Sequence, residues 1–555
     1  MENLLTKNLE NAPRRSLYKS MGVTESQLNK PVVGVIYSHN QTVPAHSDLD
    51  KFLNCICEGI ISEGAHPMLC SVMSVGSSSI GGLSGKYLLP SRELIADSIE
   101  SLAHASGFDA LVFVGSCDST IPAMLIAAVR VNLPCIFVSP GISTTGIYKG
   151  KKIGYSQLLE AVYAAKSGKI TAAELEEIEN EFCGLPGSGS EMSNSNTMCC
   201  LIEVLGLSLP FNATLPKGCA KRFMLAKQSG AQIVNILRQN ITPKLILSLA
   251  SLTNALRFVM ATGGSPDSIM HLIALRHELE ISEKLFNYSF IENISAKTPS
   301  IVMLAPMNDY YMEDFDAAGG VMAVLKELSA EKLIDGTALT VLNRPLSALY
   351  RKSEILNEDI IRKIGNAYMK KGAVALLYGN IAEEGCFIRR LFVSDKNLEF
   401  KGTAKVFNSE EDALYALHSQ NVGEGDCLVI RYEGPKGSPG MREMRLICAA
   451  ISGMGLENKT AVITDGRIGG TSKGFAVGSI CPEAAVNGNI ALIEDGDIIE
   501  IDITKGKISA DVPARDFNMR RKKLKLRQTS TSGYLLRYSE AVTAANQGAV
   551  LKDKF

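Results

Sequence analysis

The sequence predicts an α/β protein, with an N-terminal parallel-sheet region followed by a C-terminal β-barrel-like domain. In the first two-thirds of the chain, short segments rich in Val, Ile and Phe alternate with segments of helical periodicity, which favours a parallel sheet flanked by helices. From about Gly372 the pattern changes to short strands separated by turn signals. With 555 residues, 46% of them hydrophobic, the chain is long enough to bury real cores.

The N-terminal region is predicted to contain buried strands that end at Gly, Ser or Pro, namely 31–38, 110–116 and 133–141. Helical periodicity predicts helices at 91–105, 124–131 and 156–182. Because ligands of parallel sheets bind at the carboxyl ends of the strands, we expect the site in the loops that follow them. These loops are 38–46, 115–122 and 139–145.

The C-terminal region is predicted to be rich in short strands. They lie within VALLYGNI, TAKVF, CLVIRYEG, TAVITDGR and NIALIEDGDIIEIDI, with Glu-Asp-Gly-Asp at 494–497 as a hairpin-type turn. The charged stretch 348–372 is predicted to be a helical connector. The predicted domains are therefore 1–360 and 372–555.

Composition excludes several classes of protein. Lys and Arg (57) balance Asp and Glu (58), so we interpret the basic run 520–527 as a solvated face or an interface and expect no nucleic-acid partner. No apolar run approaches the roughly 18–20 residues of a membrane span, and the N-terminus does not resemble a secretory signal. The 13 cysteines lack the spacing of a disulfide framework and fit reduced thiols. We therefore expect a cytoplasmic protein without a membrane partner.

Three glycine-containing loops are candidates for chemistry. Loop 74–93 offers backbone amides and hydroxyls to an anion, but Tyr87 after Gly85-Lys86 departs from a phosphate-binding P-loop. Loop 115–122 places Cys117 beside Asp118, as metal ligands or as a buried thiol next to a helix N-cap. The third candidate combines the glycines and charges of 432–444 and 464–470.

Eight segments, in order along the chain, carry a resemblance to a known family. They are YLLPSRELIADSIE (87–100), GSCDSTIP (115–122), NSNTMCCLIEVLGLSLP (194–210), MEDFDAAGGVMAVLKEL (312–328), LYGNIAEEG (377–385), VIRYEGPKGSPGMREM (429–444), AVITDGRIGG (461–470) and CPEAAVNGNIALIEDGDIIEIDI (481–503). These segments resemble the dihydroxy-acid and sugar-acid dehydratases, a family that includes 6-phosphogluconate dehydratase. The resemblance runs from about residue 30 to 550.

The resemblance implies an α/β region joined to a β-barrel domain, a site between them, and a homodimer or dimer of dimers. It also implies dehydration of a 2,3-dihydroxy acid to a 2-keto acid. In that chemistry an iron–sulfur cluster acts on the leaving hydroxyl, Mg²⁺ binds the carboxylate and 2-hydroxyl, and a serine takes the C2 proton.

Three of the family's functional groups are matched in this sequence. Cys117 matches a cluster cysteine, and Asp118 and Glu443 match magnesium ligands. The other positions carry different residues: Ser119 replaces a carbamylated lysine, Gly76 or Ser77 a magnesium aspartate, Ala45 and Gly189 two cluster cysteines, and Gly469 the serine base. The resemblance therefore predicts a divalent cation such as Mg²⁺, with water completing its coordination. It does not predict an iron–sulfur cluster, unless unmatched thiols such as Cys183, Cys199 or Cys200 substitute.

We predict a hydro-lyase that acts on a small hydroxy or amino acid with altered or reduced cofactor use. Besides the matched groups, the candidate catalytic residues are His46, Ser472 and Lys473, although His46 could equally be a hydrogen-bonded loop histidine. The candidate substrate-binding residues are Ser77, Ser78, Lys86, Arg92, Ser119 and Gly469. The alternatives are an inactive paralogue that keeps the fold for binding or regulation, and a conventional dihydroxy-acid dehydratase with substitute cluster ligands.

Overall fold

The computed structural model describes residues 8–76, 82–182, 184–393, 398–525, 527 and 531–552, and it confirms the predicted fold class. The N-terminal region is built around a four-stranded sheet, β2-β1-β3-β4, in which all neighbours are parallel. Its strands are β1 (Val32–Tyr37), β2 (His66–Ser71), β3 (Ala110–Val114) and β4 (Cys135–Val138). The predicted strands correspond to β1, β3 and β4.

Strand β2 was not predicted, because it lies at the sheet edge and lacks a run of buried apolar residues. By contrast, every residue of β3 and β4 is buried, as expected for a parallel sheet covered on both faces. A separate two-stranded hairpin follows, with β5 (Gly146–Tyr148) and β6 (Lys151–Ile153).

Helices surround this sheet and continue into a larger helical layer. They are α1 (Ala12–Ser20), α2 (Glu25–Leu28), α3 (Asp50–Ser62), α4 (Leu88–Ser106), α5 (Thr120–Val131), α6 (Tyr155–Lys166), α7 (Ala172–Glu181), α8 (Asn194–Val204), α9 (Ala220–Arg238), α10 (Pro243–Ile246), α11 (Leu249–Thr262), α12 (Asp267–Glu278), α13 (Tyr288–Lys297), α14 (Met312–Ala317), α15 (Gly320–Ala330) and α16 (Leu346–Tyr350). The predicted helix at 156–182 is two helices, α6 and α7. Sheet and helices share one continuous hydrophobic core.

The C-terminal region is an eight-stranded mixed sheet that nearly closes into a barrel. Its strands are β7 (Val374–Leu377), β8 (Gly385–Arg389), β9 (Glu399–Phe407), β10 (Asp426–Ile430), β11 (Ala461–Thr464), β12 (Phe475–Cys481), β13 (Ile498–Asp502) and β14 (Lys507–Ala510), in the order β14-β13-β9-β10-β11-β12-β8-β7. The edge strands meet at Tyr378: its amide donates to the carbonyl of Gly506 (2.9 Å), and the amide of Ile508 donates to its carbonyl (2.9 Å). This single bridge brings the two edge strands together and nearly closes the sheet.

Helices also connect the strands of the barrel. Strands β9 to β12 run parallel, so crossover connections are required, and α17 (Glu410–His418) and α18 (Arg445–Gly453) provide two of them. The chain ends with α19 (Ala514–Lys523) and α20 (Gly533–Ala541). Two basic side chains of α19 contact the preceding segment of the same chain: Arg520 pairs with Asp497, and Arg521 donates to the carbonyl of Asn487.

Two local predictions were wrong. The stretch 348–372 is not a helical connector, because α16 ends at Tyr350 and irregular backbone with a 3₁₀ turn at Ile364–Asn366 follows. The turn at 494–497 does not join two hairpin strands. It leads from the 3₁₀ helix Asn489–Leu492 into β13, whose antiparallel partners are β14 and β9.

Candidate active site

A cavity of about 280 Å³ lies between the N-terminal region and the barrel. The N-terminal region contributes 43–45, Cys117 after β3 and the segment 186–195 before and within α8, while the barrel contributes Glu443, Arg445 and 470–471. Among the described lining residues, the charged side chains are Glu191, Glu443 and Arg445. The site therefore forms at the carboxyl end of a parallel strand, as expected for this type of sheet.

Cys117, Ala45 and Gly189 all line this cavity. Cys117 packs with Val43 and Ala45 in a small apolar cluster, and burial, followed by the charge of Asp118, raises the pKa of its thiol well above the usual value. Gly189 has φ +103°, a conformation that a cysteine would adopt only with strain. At the three positions that the resemblance matches to cluster cysteines, the cavity wall thus carries one thiol, one methyl group and one glycine.

The cysteines of α8 point into the protein core instead. Cys199 and Cys200 are fully buried, and the Cys199 thiol lies 3.9 Å from the carbonyl oxygen of Ser116 and 3.8 Å from the hydroxyl of Ser139. Neither residue lines the cavity. Cys183 lies outside the described residues.

Asp118 lies just behind the cavity wall and is buried without a hydrogen bond to either carboxylate oxygen. Burial raises its pKa, and the nearby guanidinium of Arg467 opposes this shift. Asn194 also lowers the pKa, but its amide hydrogens point to Asp267 (2.8 Å) and Glu443 (3.2 Å). A buried carboxylate whose two oxygens have no hydrogen-bond partner is a group that could hold a cation.

Glu443 is held in the cavity wall by Arg445 and Asn194. Nε of Arg445 donates to Oε1 (3.2 Å) and Nη2 to Oε2 (3.0 Å), while Nδ2 of Asn194 donates to Oε2 (3.2 Å). Burial raises the pKa of Glu443, but the charges of Arg445 and Arg467 outweigh burial, so the pKa lies below its usual value. The carboxylate is consequently ionised and fixed in orientation.

A second ion pair, between Arg467 and Asp267, is connected to Glu443 through Asn194. Nη1 of Arg467 donates to Oδ2 of Asp267 (3.0 Å), and its Nε donates to the carbonyl of Met441 (2.8 Å). Asn194 also links the N-terminal region to the barrel, because its Oδ1 accepts from the amide of Gly470 (2.8 Å). Burial raises the pKa of Asp267 to about 7.

Gly469 leaves the space that the Glu443 carboxylate occupies. A Cβ atom added at Gly469 would lie 1.6 Å from Oε1 of Glu443. A side chain at this position therefore cannot coexist with the observed Glu443–Arg445 pair.

We predict that Gly469→Ser lowers stability and does not add a functional group. The substitution would introduce the serine base that the resemblance places at this position. Displacing Glu443 from Arg445 should cost about 1–3 kcal/mol, as overpacking generally does. The measurement is the urea midpoint of unfolding, with Gly365→Ser as control, because nothing lies within 4 Å of a Cβ at Gly365. A midpoint equal to that of the control would show that Glu443 moves aside freely.

Comparison with known proteins identifies the family. The family model described as Dihydroxy-acid/6-phosphogluconate dehydratase N-terminal matches residues 30–349, and its C-terminal counterpart matches 359–549. The chain belongs to this family. It is 43% identical to the dihydroxy-acid dehydratase of Caldanaerobacter subterraneus subsp. tengcongensis over 553 residues, which cover 99% of this chain and 98% of that protein. It is 41% identical to the dihydroxy-acid dehydratases of Clostridium kluyveri (99% of each chain) and Moorella thermoacetica (98% of each chain).

Membership of the dehydratase family supports a hydro-lyase, that is, a carbon–oxygen lyase, and is consistent with a divalent cation. Within the described ranges, no helix combines the length and the apolar character that crossing a membrane requires.

The predicted catalytic residues of this dehydratase-family chain do not line the cavity. Nε2 of His46 accepts from the amide of Ser116 (3.1 Å), and Nδ1 lies 3.0 Å from the hydroxyl of Ser38. Burial, with a smaller effect of Lys217, lowers its pKa to about 3. His46 is thus a neutral histidine between two loops, which favours the loop-histidine alternative over an acid/base role.

Ser472 and Lys473 face a smaller recess beside Arg445. Lys473 forms an ion pair with Glu160 on α6 (2.8 Å), which ties the barrel to the N-terminal region. The Ser472 side chain contacts the thiol of Cys448 and lowers its pKa, against the larger effect of burial. The Lys473 contact therefore joins the barrel to the N-terminal region, whereas the Ser472 contact lies within the barrel region.

Two of the predicted substrate-binding residues do not reach the cavity. Arg92 is completely buried and pairs with Glu93 (2.7 Å), so its assignment to the substrate stays a prediction that this ion pair disfavours. Lys86, in the 3₁₀ helix Gly82–Tyr87, lies near Arg442, and its pKa is lowered by burial and then by that guanidinium.

The remaining assignments concern the loops beside Asp118. The Ser119 hydroxyl donates to the carbonyl of Val75 (3.0 Å) and is buried, so it closes the loop and does not line the cavity. Ser77 and Ser78 lie outside the described residues.

Sequence reasoning missed Arg445, Asn194 and Asp267. One signal was available for Arg445, since an arginine opens the otherwise apolar helix RLICAAISG directly after the matched glutamate motif. No local pattern marks Asn194 or Asp267. Their roles arise from contacts across 249 residues (Asn194 to Glu443) and 200 residues (Asp267 to Arg467) of the chain.

Proposed function

We propose that the protein is a hydro-lyase that dehydrates a small hydroxy acid and does so without a cysteine-held iron–sulfur cluster. Family membership over the whole chain supports the reaction class. The wall formed by Cys117, Ala45 and Gly189 supports the absence of the cluster, because such clusters are usually held by three or four protein ligands. This cavity wall is the observation on which the proposal depends.

The carboxyl groups of the cavity supply the proton transfers. Glu443, kept ionised by Arg445, takes the C2 proton, and the C3–O bond breaks as the C2–C3 double bond forms. Glu191 is the other carboxyl group that lines the cavity, and burial raises its pKa despite two hydrogen bonds from Ser156, so we propose it as the donor of the proton that converts the leaving hydroxide into water. The enol product then tautomerises to a 2-keto acid.

A divalent cation at Asp118 and Glu443 is a separate part of the proposal. The two unpaired oxygens of Asp118 support such an ion, whereas Arg445 already contacts both oxygens of Glu443. Among the described residues, no three His, Cys, Asp or Glu side chains form a group that could hold a metal. The carboxylates here would therefore need water to complete the coordination of Mg²⁺.

The names of the relatives favour a second candidate, a conventional dihydroxy-acid dehydratase with substitute cluster ligands. An inactive paralogue that binds or regulates is the third. Metal content and turnover together separate all three, because each combines iron and activity differently.

The test is to purify the full chain without oxygen and to measure iron, acid-labile sulfide, magnesium and keto-acid release from a panel of 2,3-dihydroxy acids. We expect turnover with far less than one cluster per chain, and assays with and without a chelator then test the cation. Iron and sulfide in stoichiometric amounts, with turnover lost when they are removed, would establish the conventional enzyme. Absence of turnover with every acid would support the inactive paralogue.

Three further expectations belong to the same proposal. We propose a homodimer or dimer of dimers, which light scattering of the purified chain tests. The division into domains 1–360 and 372–555 is tested by limited proteolysis, and the cytoplasmic location by cell fractionation.

A further inference from the structure

A second pocket, called here the α12 pocket, lies apart from the cavity between the two regions. Its volume is about 450 Å³, and it forms where the last turn of α12 meets the 3₁₀ helix Glu283–Leu285 and the C-terminal segment 543–552. Among the described residues, none lines both this pocket and the cavity. The helix α12 has 12 residues and begins at Asp267, which accepts a hydrogen bond from the cavity residue Asn194. The two sites therefore lie at opposite ends of a helix about 18 Å long.

Arg276 forms the inner wall of the α12 pocket. It is 6% exposed, whereas Glu283, Gln547 and Lys552 are exposed residues at the rim. Nε of Arg276 has no hydrogen-bond partner, and Nη1 donates one long hydrogen bond, of 3.5 Å, to the carbonyl of Phe286. Since a guanidinium has five N–H donors, the described part of the chain leaves most of these donors without a protein acceptor. A buried guanidinium of this kind favours an anionic group as its partner.

The rim of the α12 pocket carries charges of both signs. Burial lowers the pKa of Arg276 and the charge of Glu283 opposes this shift, so Glu283 lies within electrostatic reach of the guanidinium. Lys552 adds a second positive charge, and Val550 and Leu551 add apolar surface. A simple anion would be repelled by Glu283, whereas a molecule with both a carboxylate and an ammonium group matches the charges on each side.

We propose that the α12 pocket binds a small α-amino acid with an apolar side chain, in its zwitterionic form. The ligand carboxylate binds the guanidinium of Arg276, because these two planar groups pair through parallel N–H···O hydrogen bonds. The ammonium group lies toward Glu283, and the side chain lies against Leu551. The pocket volume falls within the range of about 300–1,000 Å³ that is usual for small-molecule sites. This site does not depend on the hydro-lyase function, and its ligand differs in class from a hydroxy acid.

The probe for this proposal is L-norvaline, with two analogues that each lack one of its charges. Pentanoate lacks the ammonium group, and butylamine lacks the carboxylate. Binding to the full chain is measured by titration calorimetry. We expect norvaline to bind and each analogue to bind at least about 10-fold more weakly, as loss of a hydrogen bond to a charged group does.

The deciding comparison uses Glu283→Gln, because this exposed residue can be changed without disturbing the core. Glu283→Gln should weaken norvaline binding roughly 10-fold and leave pentanoate binding no weaker, since only norvaline carries the ammonium group. The matched control is Glu280→Gln, which removes another exposed glutamate that does not line the pocket and should change neither affinity. Arg276→Gln should weaken the binding of both norvaline and pentanoate.

Three results would overturn the proposal. The first is no binding of norvaline to the natural chain, and the second is equal norvaline affinity in Glu283→Gln and Glu280→Gln. The third is pentanoate binding as tight as that of norvaline. If Arg276→Gln fails to fold, which its circular dichroism spectrum would show, the comparison of Glu283→Gln with Glu280→Gln still decides.

Discussion

Glu443→Gln is expected to lower keto-acid release at least about 100-fold, the usual contribution of a general base. The amide keeps the size of the side chain and one acceptor for Arg445, but it cannot take a proton from the substrate. The effect should appear in kcat and not in KM, because the amide preserves the shape of the cavity wall. The measurement is steady-state keto-acid release with the best substrate of the panel.

A matched control separates this effect from the loss of any arginine-paired glutamate. Glu411 forms an ion pair with Arg442 (Nη2 to Oε2, 2.9 Å) but lies outside the cavity, so Glu411→Gln should leave kcat unchanged. Glu443→Asp, which keeps the charge but shortens the side chain, should fall between the two. Turnover of Glu443→Gln within about threefold of the natural chain would remove Glu443 from the proton transfer.

The sequence was sufficient for the fold class because burial patterns report it directly. Strands β3 and β4 are continuous apolar runs, and each is buried along its whole length. The sequence signals of the edge strand β2 and of the helices α17 and α18 were weaker. Contacts with segments far away in the chain determine where these elements lie. The stretch after Tyr350 has helical composition without helical structure, which shows that propensity alone does not decide conformation.

The candidate site was only partly predictable for a similar reason. The positions Cys117 and Glu443 could be transferred from the resemblance, and both line the cavity. Arg92 stands in a segment that resembles the family equally well, yet its side chain is buried. A motif identifies a position in the sequence, but it does not show where the side chain points in the folded chain. The link from Asn194 to Glu443 required the folded chain.

Arg92→Met is expected to destabilise the protein by about 3–5 kcal/mol, because it leaves the carboxylate of Glu93 buried without its partner. Arg92 also donates from Nη2 to the carbonyls of Gly548 (2.9 Å) and Ala549 (2.7 Å). Its Nη1 lies 3.2 Å from Nδ1 of His271, whose pKa is held well below its usual value by burial and then by Arg92, so that the ring accepts this hydrogen bond. The side chain thus connects α4 to the C-terminal segment of the chain.

The decisive measurement combines the urea midpoint with the binding of glycerate, the smallest 2,3-dihydroxy acid. Arg92→Met should unfold at lower urea, and Arg92→Met/Glu93→Met should regain most of the loss, since removing both charges of a buried pair is far less costly than removing one. Glycerate affinity of the folded Arg92→Met protein should remain unchanged. If the affinity for glycerate falls while the urea midpoint is unchanged, Arg92 binds the substrate. The prediction made from the family motif would then be correct, although Arg92 forms a buried ion pair.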